Sequence, residues 1–382
     1  MPTTSLKSTK RSTDGGLAIH SLDVSLLYPV PLNPTRGVFV EDHVELLKSL
    51  GHDVKVVNPL PRMPRYAEAR RSTLAGVAKA PKRWMHNDTM TLVPRFLALP
   101  DHPYPRITAA SVARKANWVE KQLGPWRPDV IVCHTLWPAA ILANRLAQRW
   151  SCPLVGVVHG YDFDVGLDLK GVGDRIRSAA ASCDALVCAS QRLADLVQDR
   201  GMAARRVETI PCLTDVDREW RQPVRPMKKA WKKEPIDILF PADPRRPEKR
   251  QLLALQTGEV LEERGWVVGI TTLRHQPRSI VFDRMLTADV TLITSRREAG
   301  PLVARESLMC GTPVVSVDVG EVGRYLPEEW VHGDDPEALA DGIEHALRHG
   351  WQSEDTVDER LAFASLEAVS QAWTGLLSSL VS

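Results

Sequence analysis

The sequence predicts an α/β protein made of two doubly wound domains joined by a linker, and three observations carry that prediction. Short β-branched apolar runs alternate with longer amphipathic stretches, which is the pattern of parallel-sheet βα units. The alternation occurs twice, on either side of a Pro- and Lys-rich stretch at 211–235 that has no periodicity. The chain has 382 residues, enough for two or three domains that each bury a full core.

In the first half the runs Val24–Tyr28, Val54–Val57, Val130–Cys133, Leu154–Val158, Ala185–Cys188 and Val207–Ile210 read as strands. Helices are expected between them at 38–50, 107–123, 138–149, 171–181 and 190–200. The first ends at Gly51 and the last at Gly201, residues suited to the left-handed turn that closes a helix. The second half gives strand 236–240, helix 247–264 before Gly265, strands 266–270 and 290–293, helix 301–310, strand 313–317 and helix 336–348. Asp335 and Pro336 supply a cap and a first-turn proline for that last helix. Only about ten residues separate strand 266–270 from the 280–289 stretch, so no extra βα unit fits there. The expected organisation is a disordered Ser/Thr/Lys-rich tail at 1–17, a first domain at 18–213, a linker at 214–235, a second domain at 236–354 and a helical segment at 355–382.

Composition narrows the function. Hydrophobic content of 43% and charged content of 25% are ordinary for a globular protein. No apolar run approaches the ~18 residues that span a bilayer, and the N-terminus lacks the apolar core of a signal peptide. The six cysteines show neither a CxxC pair nor zinc-finger spacing, which fits buried thiols in a reducing cytoplasm. GxGxxG and GxxxxGK[ST] are absent after every expected strand, which argues against nicotinamide enzymes and P-loop nucleotidases. Net charge is +2, but residues 62–95 and 218–233 are each strongly basic and the rest of the chain is acidic. That polarity suits an anionic partner, a membrane surface or a phosphate-bearing substrate. Nothing in the chain points to nucleic acid.

The chemistry concentrates at 294–320. Where strand 290–293 ends, Gly300 permits a tight turn and Pro301 stands at a helix start. The amides of Leu302 and Val303 then face out of a helix N-terminus, where backbone donors and the helix dipole favour phosphate. Glu298 lies on the preceding loop, and Glu306 lies about one and a half turns into the helix. Carboxylates accept hydrogen bonds from vicinal hydroxyls, so a phosphate cradle flanked by two of them describes a nucleotide sugar. Two α/β domains also place a ligand crevice at the carboxyl ends of their sheets.

These residues carry a resemblance. Glu298 and Glu306, within EAGPLVARESLMCGTPVVSVDVG, are similar to the ExxxxxxxE signature of family-4 retaining glycosyltransferases of the GT-B fold, in which two Rossmann-like domains face a cleft and a C-terminal helix crosses back. Further stretches match in order. They are NPTRG at 33–37 with GHDVKV at 51–56, VIVCH ending at His134, VHGYD at 158–162, and LFPADPRRPEK ending at Lys249. The resemblance implies Glu306 on the donor ribose, Glu298 on the transferred sugar, and Gly300, Pro301 and Leu302 along the diphosphate and sugar. It implies Lys249, with Arg245 or Arg246, against the departing diphosphate, and His159 and Gly160 against the sugar. It places Gly37, His134 and Asp162 on the acceptor side. Three departures are visible: Pro244 stands where the family has a Gly-Arg pair, the usual EGxP reads EAGP, and the short second domain lacks one βα unit between 266–270 and 280–289.

The expected activity is transfer of a hexose from a nucleotide-diphosphate sugar to a lipid-linked or polysaccharide acceptor, with retention of anomeric configuration and with neither metal nor cofactor. The tripeptides at Asp162–Asp164 and Asp215–Asp217 spell a metal-binding DxD, which is common by chance. The resemblance also admits a GT-B epimerase or phosphorylase, and a sugar-nucleotide binder without turnover. The expected location is the cytoplasm, at the inner membrane face, with residues 62–95 against anionic lipid.

Overall fold

The computed structural model describes residues 18–63, 68, 74–98, 103–224, 235–274 and 276–381. The tail expected at 1–17, Arg65, Arg70 and Arg71 of the first basic segment, and residues 225–234 of the second lie outside the described residues. The chain forms two compact units. One comprises Met1–Cys188, Leu193–Ile210 and Ser370–Ser382; the other comprises Ala189–Arg192 and Pro211–Val369.

The first unit is built on an 8-stranded sheet, with two further short strands outside it. The strands are β1 (His20–Ser25), β2 (Asp53–Val57), β3 (Leu60–Pro61), β4 (Arg83–His86), β5 (Thr89–Leu92), β6 (Arg95–Phe96), β7 (Val130–His134), β8 (Leu154–Val158), β9 (Ala185–Cys188) and β10 (Val207–Thr209). The sheet order is β10-β9-β8-β7-β1-β2-β5-β4, and β3 pairs with β6 alone. All pairings are parallel except β4 with β5. β7, β8 and β9 are buried along their whole length, as expected of near-continuous apolar strands covered on both faces.

The second unit holds β11 (Pro235–Phe240), β12 (Val267–Thr272), β13 (Val290–Ile293), β14 (Val314–Val317) and β15 (Val331–His332), in the order β12-β11-β13-β14-β15 and all parallel. Ile238, Leu239, Val290, Leu292, Val314, Val315 and Ile343 are among the side chains of its core.

Each sheet reverses direction beside a central strand. β1 lies between β2 and β7, with Ser25 opposite His134, and β11 lies between β12 and β13. Chain leaving β1 and β7, or β11 and β13, diverges at their carboxyl ends, where doubly wound folds bind ligands. Gly37 and Lys249 lie beyond β1 and β11, His134 ends β7 and Glu298 lies beyond β13, whereas His159, Gly160 and Asp162 follow β8.

The structure departs from the sequence expectation in several elements. The first strand is His20–Ser25 rather than 24–28, because the polar Ser21 and Asp23 point inward from its middle and hide the apolar run. The helix expected over 107–123 is two helices, Pro105–Ala113 and Ala116–Leu123. Helix 247–264 is a 3₁₀ turn, Pro247–Lys249, and a helix, Gln251–Glu263, separated by Arg250 in a left-handed conformation. The segment 355–380 begins with the helix Val357–Leu361, which has a Thr356–Glu359 capping box, and continues as Leu366–Val381. Between β12 and β13 stands the helix Arg278–Thr287, with no additional strand. Among the described residues no helix is long and apolar enough to cross a membrane.

Candidate active site

In the second unit the site grows from the ends of β11 and β13. After β11 the chain turns around Asp243, whose carboxylate accepts from the Arg245 amide at 3.0 Å and from Arg245 Nη2 at 2.9 Å. Arg246 pairs with Glu248 at 2.7 Å. Both candidate arginines for the diphosphate, Arg245 and Arg246, are therefore held by acidic residues of their own loop. Lys249 instead reaches across to the next loop and pairs with the Glu298 carboxylate, both side chains being largely buried. Thr294, just past β13, fixes this approach: its hydroxyl donates to the carbonyls of Lys249 at 2.8 Å and Arg250 at 3.1 Å, and its own carbonyl accepts from Arg250 Nε at 2.6 Å.

From Glu298 the chain passes Gly300 to Pro301, which caps the helix Leu302–Met309 in an extended conformation (φ −66°, ψ 105°). The helix starts one residue later than expected, at Leu302. Among the described residues no acceptor takes the amides of Leu302 and Val303, and the first amide bonded back into the turn is that of Ala304, to the Pro301 carbonyl at 3.1 Å. Two orphan donors thus remain at the head of a helix whose dipole favours an anion. Gly320 closes on this loop from β14. Its φ is +63°, and a side chain there would put Cβ 2.7 Å from the Ala299 carbonyl oxygen. The helix is held to β13 by Ser307 and Thr291, whose hydroxyls are 2.6 Å apart.

Glu306 is 5% exposed and pairs through Oε1 with Arg278 Nη2 at 2.8 Å. Burial raises its pKa, against the opposing charges of Arg278 and Arg305. The two carboxylates expected to accept sugar hydroxyls are thus each held by a cation. Arg278 was invisible to the motif: it lies 28 residues before Glu306, in a stretch without a readable pattern, and only the fold brings them together.

In the first unit, Gly37 caps the helix Val38–Ser49 at φ +69°, and a Cβ there would lie 2.5 Å from the Leu27 carbonyl carbon and oxygen. Its position is dictated by that close approach to the loop after β1. Asp162, expected on the acceptor side, is 2% exposed and accepts from the amides of Leu136 at 2.7 Å and Trp137 at 3.1 Å. Burial raises its pKa to about 6 against these two bonds. Its carboxylate braces the loop after β7 and, being buried, is not presented to an acceptor. His134 ends β7 and bonds through Nδ1 to His159 Nε2 at 3.1 Å; Phe39 lies against the His159 ring at 4.5 Å. Gly160 follows at φ +120° and caps the short helix Tyr161–Asp164. Burial depresses His134 to about 4, with Asp23 opposing, and desolvation with the neighbouring imidazoles holds His159 well below its usual range.

Behind His134 stands a group the sequence did not single out. Asp23 is fully buried in β1, with His43 Nε2 at 3.3 Å and His134 Nε2 at 3.5 Å from its Oδ2. Burial alone would raise the Asp23 pKa, but the two imidazoles outweigh it and hold the carboxyl well below the usual carboxylate range.

Known proteins match both halves of the chain. Residues 37–218 match the family described as Glycosyltransferase Family 4, and residues 261–360 match Glycosyl transferases group 1. A Bacillus subtilis protein named as the teichuronic acid biosynthesis glycosyltransferase TuaC is 23% identical over 339 residues, covering 78% of this chain and 81% of that protein. D-inositol 3-phosphate glycosyltransferase of Thermobispora bispora is 32% identical over 117 residues, covering 25% of this chain and 27% of the relative. Among solved structures, sucrose-phosphate synthase of Thermosynechococcus elongatus superposes with a TM-score of 0.64 at 18% identity, covering 95% of this chain and 99% of the other. Anabaena HepE in complex with UDP and glucose gives 0.58 at 14% identity, covering 95% and 100%. With two parallel sheets of this order, and with the Glu298–Glu306 segment at the switch point of the second, the chain belongs to the family-4 glycosyltransferases of the GT-B fold.

Proposed function

We propose that this protein transfers a hexose from a nucleotide-diphosphate sugar to a lipid-linked or polysaccharide acceptor, with retention of anomeric configuration and with no metal on the diphosphate. The observation that carries the donor assignment is the pair of unclaimed amides at Leu302 and Val303 beside the Lys249–Glu298 ion pair. When a glycosidic bond to a diphosphate breaks, negative charge builds on the departing phosphate. Amides fixed at a helix start and a lysine ammonium stabilise that charge with little rearrangement. Lys249 is held beside the cradle by the Thr294 hydroxyl, and its pairing with Glu298 gives way as it turns to phosphate. Glu298 is then left to accept from sugar hydroxyls, and Glu306 from the ribose. Gly300, with open space at its Cβ apart from Glu321 Oε2 at 3.9 Å, leaves backbone accessible to the diphosphate beside Pro301. His159 is the candidate catalytic group of the first unit, an imidazole positioned through His134 and held below its usual pKa by desolvation.

Comparison supports a nucleotide-sugar donor and an envelope acceptor. HepE is described in complex with UDP-glucose, a starch synthase domain bound to ADP and acarbose, and the Bacillus relative is named for teichuronic acid biosynthesis. A lipid-linked acceptor places the reaction at the cytoplasmic membrane face. The basic 62–95 segment supports that reading, with exposed Lys82 and Arg83 next to Met85, which is 59% exposed.

Incubation of the full chain with radiolabelled nucleotide sugars and an acceptor extract tests the proposal. Label entering a lipid or polysaccharide product, with the anomeric configuration of the donor, supports it. Epimerised or phosphorolysed sugar with no glycoside formed refutes it.

A further inference from the structure

We propose that Asp23, His43 and His134 form a buried divalent-metal site at the centre of the first unit, with zinc as the ion that fits the ligand set. The inference goes beyond the transferase reading and does not rest on it, because every ligand lies in the first unit and none belongs to the donor cradle.

Three atoms converge: Asp23 Oδ2, His43 Nε2 and His134 Nε2 all lie within 4.8 Å of one another. All three residues are buried, at 0%, 7% and 1% exposure. None of the three atoms has a hydrogen-bond partner. The imidazole nitrogens are 3.3 and 3.5 Å from the shared carboxylate oxygen, yet neither contact meets hydrogen-bond geometry. Read as a purely protonic cluster, this arrangement leaves three buried polar atoms with only long, poorly aligned contacts to one another. A cation answers all three at once. Ligands about 2.0–2.1 Å from a tetrahedral zinc are separated by about 3.3–3.4 Å along each edge, close to the two distances found.

The surroundings are those of a ligand set. Metal-bound histidine and carboxylate side chains are oriented by partners on their far atoms. Here Asp23 Oδ1 accepts from Ser21 Oγ at 2.7 Å, and His134 Nδ1 bonds to His159 Nε2 at 3.1 Å. The His43 ring is wedged between His134, at 4.7 Å between centroids, and Trp373, at 4.4 Å. The ligands come from β1, the helix Val38–Ser49 and β7, so an ion would tie together the three elements at the reversal point of the sheet. Two imidazoles, one carboxylate and one water make a four-coordinate set that borderline-soft zinc accepts.

The test uses the full, tag-free chain. Metal analysis of purified protein should find about one zinc per chain. Chelator-stripped protein should gain thermal stability on addition of zinc chloride alone, and cobalt-loaded protein should show the intense visible bands of tetrahedral Co²⁺. Ser21→Ala, which leaves all three ligands in place, should bind zinc about 10–100-fold more weakly, and His43→Gln should abolish the cobalt bands. The proposal is overturned if wild-type protein holds no zinc, and neither its melting temperature nor its visible spectrum responds to zinc or cobalt. It is equally overturned if His43→Gln binds zinc as wild type does. The wild-type measurements decide the matter even if a variant does not fold.

Discussion

Arg278 Nη2 lies 2.8 Å from Glu306 Oε1, so the buried carboxylate of the family motif is balanced by a cation from the neighbouring helix. Removing that cation leaves a desolvated charge. Arg278→Met, which keeps the apolar stem, should cost roughly 1–3 kcal/mol at neutral pH. Most of the loss should vanish when the same change is made in a Glu306→Gln background. Urea unfolding of the four proteins measures the coupling, and equal losses in both backgrounds would show that the pair is not coupled.

The two acidic residues divide the work. Glu306→Ala should chiefly weaken donor binding, while Glu298→Ala should chiefly lower turnover. A lost hydrogen bond to a bound hydroxyl corresponds to roughly 1–3 kcal/mol in either case. Steady-state kinetics with varied donor reads the split as KM against kcat. Matching changes in both constants for both variants would contradict it.

Gly320 sets the height of the loop that carries Glu298. Because Gly320→Ala forces its Cβ onto the Ala299 carbonyl at positive φ, the loop must shift, at a cost of roughly 1–3 kcal/mol. Donor affinity and melting temperature should fall together. A variant with lower stability but unchanged donor affinity would separate this contact from the site.

Asp162 should impose a pH dependence on stability. Its pKa is raised by burial from 3.8 to about 6 in the folded chain, so the folded state retains a proton that the unfolded state has lost. Stability therefore falls as pH rises from about 4 to about 6, by an amount on the order of 3 kcal/mol, and stays lower above that window. Asp162→Asn should remove this fall. Unfolding curves of both proteins at pH 4, 5, 6 and 7 check it, and parallel profiles would sink the assignment.

Most of the architecture was legible because parallel strands buried on both faces are continuous apolar runs, and because helix ends announce themselves. Leu154–Val158, Ala185–Cys188 and Val290–Ile293 fall where their runs do, and Asp335 caps its helix by accepting from the Ala338 amide. Legibility failed where polar residues point inward. Asp23 and Ser21 displaced the expected first strand by hiding its alternation. The β4–β5 hairpin turns on Asn87 and Asp88, at φ 45° and 59°. That pair was a readable signal, because both residue types tolerate the left-handed region that two-residue hairpins need. At the site, Glu298, Gly300, Pro301, Leu302 and Glu306 were readable because they are contiguous. Arg278 was not, nor was the Asp23–His43–His134 cluster, whose members are 20 and 91 residues apart and meet only in the folded sheet.

The helix start at Leu302 offers the most direct test of the donor cradle. Leu302 is the first helical residue, and Pro301 before it is extended (ψ 105°), so proline fits there and deletes a single amide donor. Titration of a panel of nucleoside diphosphates by calorimetry should identify at least one that binds the wild-type chain. Leu302→Pro should bind it about 10-fold or more weakly, the loss expected for a hydrogen bond to a charged group, at a nearly unchanged melting temperature. Wild-type affinity in that variant, or no nucleoside diphosphate bound by the wild-type chain, would contradict the assignment of the diphosphate to this helix.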